Sequence, residues 1–148
     1  MSLESIANLR AFLSGRWELS RRIRDRRGGV EGSFLGEATF SPQDGGLDYL
    51  EEGEMKLGVV QGRAFRRYRF AFPECARAEV YFEDGRFFHD LILGPDHYRV
   101  RHDCPPDLYL GRFRLLGREE WQAIWLVRGP RKLHLLESRY QWKGFTRR

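Results

Sequence analysis

Cysteine is nearly absent from this chain. Cys75 and Cys104 are too few for a disulfide framework or a thiolate metal cage, and they read as reduced thiols of a cytoplasmic protein. Lysine is scarce as well, found only at positions 56, 132 and 143, so arginine carries almost all the positive charge. No apolar run approaches the roughly 20 residues that span a bilayer. The opening stretch MSLESIANLRAFLSG lacks the basic region and apolar core of a secretory signal. No membrane partner is therefore expected. Helical periodicity is the last shortage: it stops at Gly15 and does not return.

What is present is mixed charge and many aromatics. Of 148 residues, 41% are hydrophobic and 32% charged, which fits one soluble globular domain over residues 1–148. The net charge of +5 arises from 26 basic and 21 acidic residues that are intermingled. A basic protein attracts nucleic acid. The densest run, Arg21, Arg22, Arg24, Arg26 and Arg27, has no recognition motif beside it, however. It reads as a solvated surface, with weak nucleic-acid binding only a third-ranked reading.

Between Ser2 and Ser14, Leu3, Ile6, Leu9, Phe12 and Leu13 recur at helical spacing, with Ser2 as cap and Gly15 as stop. That predicts a short helix over about 2–14. Beyond it the pattern is alternation. The expected strands are 16–25, 30–40, 48–59, 63–72, 78–83, 86–93, 97–102, 108–115, 120–128 and 133–142, separated by glycine-rich turns. Asp84-Gly85 is the strongest turn signal, a two-residue hairpin. About ten strands with short links describe an all-β antiparallel up-and-down meander. With no helices to cover a flat sheet, closure into a single barrel capped by the N-terminal helix removes its edges.

Alternation also predicts facing. Around Asp84-Gly85 it sends Val80, Phe82, Phe87, His89 and Leu91 inward and Phe88 outward. Elsewhere Trp17 takes Arg21 inward, and Tyr49 takes Glu51. Arg66 goes in with Tyr68, His102 with Tyr98, Tyr109 with Phe113, and Trp121 with Trp125. Neither face of the last strand is clearly apolar. Buried charges are costly unless paired. Singly, each polar residue can be a satisfied interior group, for instance Arg21 paired with Glu51. Together, Arg21, Glu51, Arg66, Tyr68, His89, His102, Tyr109, Trp121 and Trp125 predict a cavity for an amphipathic acidic small molecule. Arg21 and Arg66 would pair the anion, and Phe82, Phe87, Phe113 and the tryptophans would touch the body. The alternative is a cofactor-independent lyase or isomerase, with Glu51 or His89 as base and Tyr109 as proton donor.

No cofactor and no metal is expected. Zinc needs three or four converging ligands, and Pro105-Pro106 is expected to end the strand before Cys104 can join His102 on one face. A Cys104–histidine nucleophilic pair lacks an oxyanion element. Gly129-Pro130-Arg131-Lys132 reads as a solvated turn, or as a rim cation pair that attracts an anion.

Ser14-Gly15-Arg16-Trp17, after a short helix and opening the first strand, resembles the Gly-x-Trp signature of lipocalin-like barrels. That resemblance implies a tryptophan at the closed end under a late basic residue, for which Arg139 is the candidate. A longer resemblance covers nearly the whole chain. Phe12 to Trp17 with Arg21 to Asp25, Tyr49 to Gly53, Val80 to His89, His102-Asp103-Cys104 with Asp107 and Tyr109, and Trp125 to Lys132 are similar in order and spacing to the DUF6314 family of bacteria and fungi. It implies one lipocalin-like (calycin) barrel and no particular activity. The family's recurring polar positions fall on Arg21, Glu51, His89, His102, Asp107, Tyr109 and Lys132. The Arg, Tyr and Glu set is also similar to that of cofactor-free phenolic-acid decarboxylases, an analogy of fold that does not fix function.

Overall fold

The computed structural model describes residues 3–145. One helical turn, α1 (Leu9–Leu13), precedes ten strands: β1 (Gly15–Asp25), β2 (Val30–Gln43), β3 (Gly46–Leu57), β4 (Val60–Glu74), β5 (Arg77–Phe82), β6 (Phe87–Leu91), β7 (Tyr98–Cys104), β8 (Asp107–Gly117), β9 (Glu120–Arg128) and β10 (Leu133–Gly144). They form one antiparallel sheet in the order β6-β5-β4-β3-β2-β1-β10-β9-β8-β7. The first strand pairs with both the second and the last, so the sheet curls into a nearly closed barrel. Its two edges, β6 and β7, are consecutive in the chain and meet at a seam without a hydrogen-bonded ladder. Side chains bridge that seam: the Tyr98 phenol lies near Asp90, whose charge adds to burial in raising it, and His102 packs on Phe82 and Phe88. No helix among the described residues is long and apolar enough to cross a membrane.

Period-two alternation sets the core. Trp17 and Leu19 face inward on β1, Tyr49 and Glu51 on β3, Phe113 on β8, and Trp121 and Ala123 on β9. The backbones of β2 and β3 leave no room for side chains where Gly36 stands opposite Gly53. A Cβ on either would lie 2.1–2.3 Å from a carbonyl oxygen of the facing strand, so only glycine permits this approach. On β10, pairing with β1 settles what composition left open. Tyr140 lies beside Leu19 and Ser138 beside Arg21, and both are buried.

Five expectations change. The helix is shorter, because Asn8 caps it through the Ala11 N–H (3.1 Å). The residues before it run extended, Ile6 donating to the Leu93 carbonyl; the expected cap Ser2 lies outside the described residues. The turn between β3 and β4 is Gly58-Val59, so β4 begins at Val60. At the β5–β6 hairpin the turn is one residue longer, Phe82 bonding the Arg86 carbonyl (2.9 Å). A bulge then restores Val80 opposite His89. Between the two, Phe87 turns out (49% exposed) and Phe88 turns in (5%), the reverse of simple alternation. β7 continues through Cys104, which pairs with Asp107 around Pro105-Pro106. Arg139 faces outward and bonds Glu120 (2.7 Å).

The lower end is plugged. Trp17 packs on Phe12, Trp121 and Trp142, with ring centroids 5.1–6.0 Å apart, and its Nε1 donates to the Leu13 carbonyl (2.9 Å). Among the described residues no guanidinium lies over the Trp17 ring, and the expected Arg139 is outside; Tyr140 stacks flat on Trp121 (3.8 Å). α1 seals this end, the Leu9 N–H donating to the Cys75 carbonyl. The opposite end is open.

Candidate functional site

The interior holds two compartments, one above the other. The upper is an open cavity of about 650 Å³ lined by Arg66, Tyr68, Phe82, Phe88, Tyr109 and Trp125, with Lys132 and His134 at the rim. The lower, about 60 Å³, is bounded by Arg21, Tyr49, Glu51, His89, Trp121 and Tyr140 among others. Tyr68, Phe88, Trp125, Arg66 and Leu136 border both. The partition is aromatic: Phe88 stacks on Trp125 (4.9 Å, 17°) and on Phe82 (4.4 Å, 22°). Trp125 lies across Gly111, where a Cβ would come within 2.8 Å of the indole.

The lower compartment is a closed polar network. Arg21 grips Glu51 with both terminal nitrogens (2.6 and 3.0 Å), and its Nε donates to the Ser138 hydroxyl (2.7 Å). The Tyr140 hydroxyl donates to Tyr49, which in turn donates to Glu51 (2.8 and 2.7 Å). Burial alone would raise the Glu51 carboxyl, but the Arg21 fork and charge, the Tyr49 hydroxyl and the Arg66 charge outweigh it and hold the group below its ordinary value. Burial, then the charge of Glu51, pushes Tyr140 up to about 12 and Tyr49 well above its usual range. Both phenols stay protonated as donors. Trp121 is buried here, and among the described residues its Nε1 finds no hydrogen-bond partner.

His89 is buried on the same level, stacked on Phe113 (5.1 Å). Its Nδ1 lies 2.7 Å from the Asp90 carbonyl. A carbonyl only accepts, so the proton sits on Nδ1 and Nε2 is left as an acceptor. Burial drives its pKa down to about 4, and the ring is neutral at physiological pH.

Arg66 stands opposite Glu51 on the neighbouring strand and its charge helps lower that carboxyl, but it is not hydrogen-bonded into this network. It is exposed on the wall of the open cavity, and among the described residues its Nη1 bonds only the Tyr68 hydroxyl (3.3 Å). Among the described residues no carboxylate comes within 4 Å of it. Lys132, by contrast, is paired with Asp107 (3.1 Å).

Of the nine residues singled out in the sequence, Arg66, Tyr68, Tyr109 and Trp125 line the upper cavity, and Arg21, Glu51, His89 and Trp121 line the lower. His102 borders neither; it is a half-buried part of the seam, against Phe82, Phe88 and Tyr109. Phe87 points away from both and packs on Tyr81. Sequence reasoning missed Phe88, hidden by the bulge, and Tyr140 and Ser138, hidden on a strand with two similar faces. It also missed Leu136 and His134 on the same strand. His102 and Cys104 do share a strand, yet among the described residues no group of three His, Cys, Asp or Glu side chains converges.

Comparison with known sequences decides the family. This chain belongs to the DUF6314 family. The family, one of unknown function, matches over residues 13–142. No curated protein matches the DUF6314 chain by sequence. Among solved structures, an S-type phycobiliprotein lyase from Guillardia theta superposes with TM-score 0.60 at 5% identity, covering 93% of this chain and 92% of the other. A de novo designed fluorescence-activating β-barrel gives 0.49 at 11% identity, over 93% and 100%. A DUF3598 protein of unknown function from Nostoc punctiforme gives 0.48 at 9%, over 90% and 48%. The lyase likeness establishes a shared barrel fold for this DUF6314 protein.

Proposed function

We propose that this protein binds a small amphipathic acid in its upper cavity, with Arg66 as the anion anchor. One observation carries this reading. An open cavity of about 650 Å³, within the size range of small-molecule sites, holds at its wall an arginine that has no carboxylate within 4 Å among the described residues. A guanidinium fork matches a carboxylate in shape and charge. Tyr68 would orient the acid, and Phe82, Phe88, Tyr109 and Trp125 offer flat apolar surface to an aromatic or aliphatic body. Arg21 has a different place in this reading. Its donors are spent on Glu51 and Ser138, so it supports the cavity floor and Arg66 alone receives the anion. The unpaired cysteines fit a reducing, cytoplasmic setting.

The lyase or isomerase reading of the cavity has less behind it. Glu51 is held ionised by Arg21 and Tyr49, which makes it a weak base. His89 keeps a free acceptor but borders only the small lower compartment.

The test is a thermal-shift screen of wild type and Arg66→Ala against small aromatic and fatty acids. An acid present at a hundred times its Kd stabilises the fold by about 2.7 kcal/mol, or roughly 5–10 °C for a domain of this size. Loss of that shift in a still-folded Arg66→Ala supports the reading. No shift from any acid, or an equal shift in the variant, overturns it.

A further inference from the structure

Three neighbouring hairpins at the open end form a one-sided arc of unpaired positive charge. In barrel order they are the β3–β4 turn (Gly58-Val59), the β1–β2 turn (26–29) and the β9–β10 turn (129–132). They touch: the Gly58 N–H reaches the Glu31 carbonyl (3.3 Å), the Arg26 N–H donates to the Leu133 carbonyl (2.8 Å), and the Arg27 guanidinium bonds the Pro130 carbonyl. The arc carries Arg26, Arg27, Lys56, Arg63, Arg128 and Arg131, all exposed. Among the described residues none of the six lies within 4 Å of a carboxylate.

The acids within the arc are already engaged. Asp25 accepts the Arg27 and Gly28 N–H groups of its turn, Glu31 faces Arg22, and Glu54 faces Gln61. On the other two hairpins of this end the cations are paired, Arg86 with Asp84 (2.8 Å) and Arg101 with Asp103 (3.2 Å), and Glu83 and Asp107 add negative charge. The positive field is therefore confined to one side of the mouth. The same side ends in an aliphatic tip: Val59 is fully exposed and Val60 is 65% exposed. Aliphatic side chains at the apex of a hairpin gain nothing from water and would gain from a lipid interface.

From this arrangement we infer that the arc docks the barrel, mouth first, on an anionic lipid bilayer, with Val59 and Val60 entering the headgroup region. Cations beside an apolar tip are the pairing an anionic bilayer recognises. A single-stranded nucleic acid would need several aromatic stacking faces beside the cations, and among the described residues this side exposes Phe65 alone. No helix among the described residues is long and apolar enough to span a bilayer, and surface docking requires none. Docking would bring the cavity opening against a phase in which amphipathic acids dissolve. The inference does not depend on what the cavity holds.

The experiment is sedimentation with vesicles of phosphatidylcholine and phosphatidylglycerol in equal parts, beside vesicles of pure phosphatidylcholine. Each cation near such a surface is worth about fivefold in affinity. Binding is expected only to the anionic vesicles and is expected to weaken with salt. Arg26→Gln/Arg131→Gln should weaken it about 25-fold, and Val59→Asp/Val60→Asp at least about tenfold, with melting curves unchanged. Equal sedimentation with both vesicle types, absence of binding to either, or variants that bind like wild type would overturn the inference. So would retention on single-stranded oligonucleotides that survives Val59→Asp/Val60→Asp while vesicle binding is absent; that outcome assigns the arc to nucleic acid.

Discussion

Replacing Glu51 by glutamine tests whether the lower compartment holds the barrel together as a charge-paired network. Glu51 is 3% exposed and accepts two bonds from Arg21 and one from Tyr49. Glutamine keeps the shape but removes the charge, and its amide can answer only part of the fork. Arg21 is then a nearly buried cation without a counter-charge, its side chain 13% exposed. Breaking a buried pair from one side costs about 3–5 kcal/mol. Since Arg66 and the open cavity let some solvent field reach the site, the lower end of that range, about 3 kcal/mol, is expected. For a domain of this size that is a fall in Tm of roughly 6–12 °C. Removing both charges, Arg21→Met with Glu51→Leu, leaves no orphaned ion and should be clearly milder than the single change. The assay is urea and thermal unfolding followed by circular dichroism, with the m-value checked for constancy. A single variant within 1 kcal/mol of wild type, or a double variant worse than the sum of its singles, would refute the reasoning. The pH dependence has a defined sign. The carboxyl of Glu51 is lowered in the folded state, so its contribution is complete above the unfolded value of 4.5 and is lost as pH falls through the lower folded value. Glu51→Gln should flatten that acid limb.

The bulge in β6 predicts opposite outcomes for adjacent phenylalanines. Phe88→Ala should cost about 3–5 kcal/mol, and Phe87→Ala under about 1 kcal/mol, in the same unfolding assay; similar costs would mean the bulge is misplaced. His89 should give an NMR titration with its midpoint near pH 4. Because the folded value lies below the unfolded one of 6.5, its neutral burial favours folding above that value, and this share of stability fades as pH drops from 6.5 towards 4. An imidazole that titrates at 6.5 or higher contradicts the buried geometry.

Most of the barrel's plan was legible in the sequence. Glu120–Arg128 appears with the bounds alternation gives it, and every other strand is found within a few residues, because a period of two survives in each segment independent of its neighbours. The inward set on β1, Trp17, Leu19, Arg21 and Ile23, follows from the same local rule, and so does Glu51 beside Tyr49. Local pattern fails where a neighbouring strand decides. Phe87 and Phe88 exchange sides because the hairpin gains a residue and the bulge returns it, a matter of ladder register. Tyr140 and Arg139 were indistinguishable until β10 was laid against Leu19 and Ser20 of β1. The roles of the two arginines are tertiary as well. Arg21 and Arg66 look alike as inward cations on alternating strands. Only three-dimensional closure puts Glu51, Ser138 and the two tyrosines around the first and leaves the second at an open wall. Composition and alternation determine which side chains enter the barrel; pairing across residues far apart in the chain decides which of them remain free to meet a ligand.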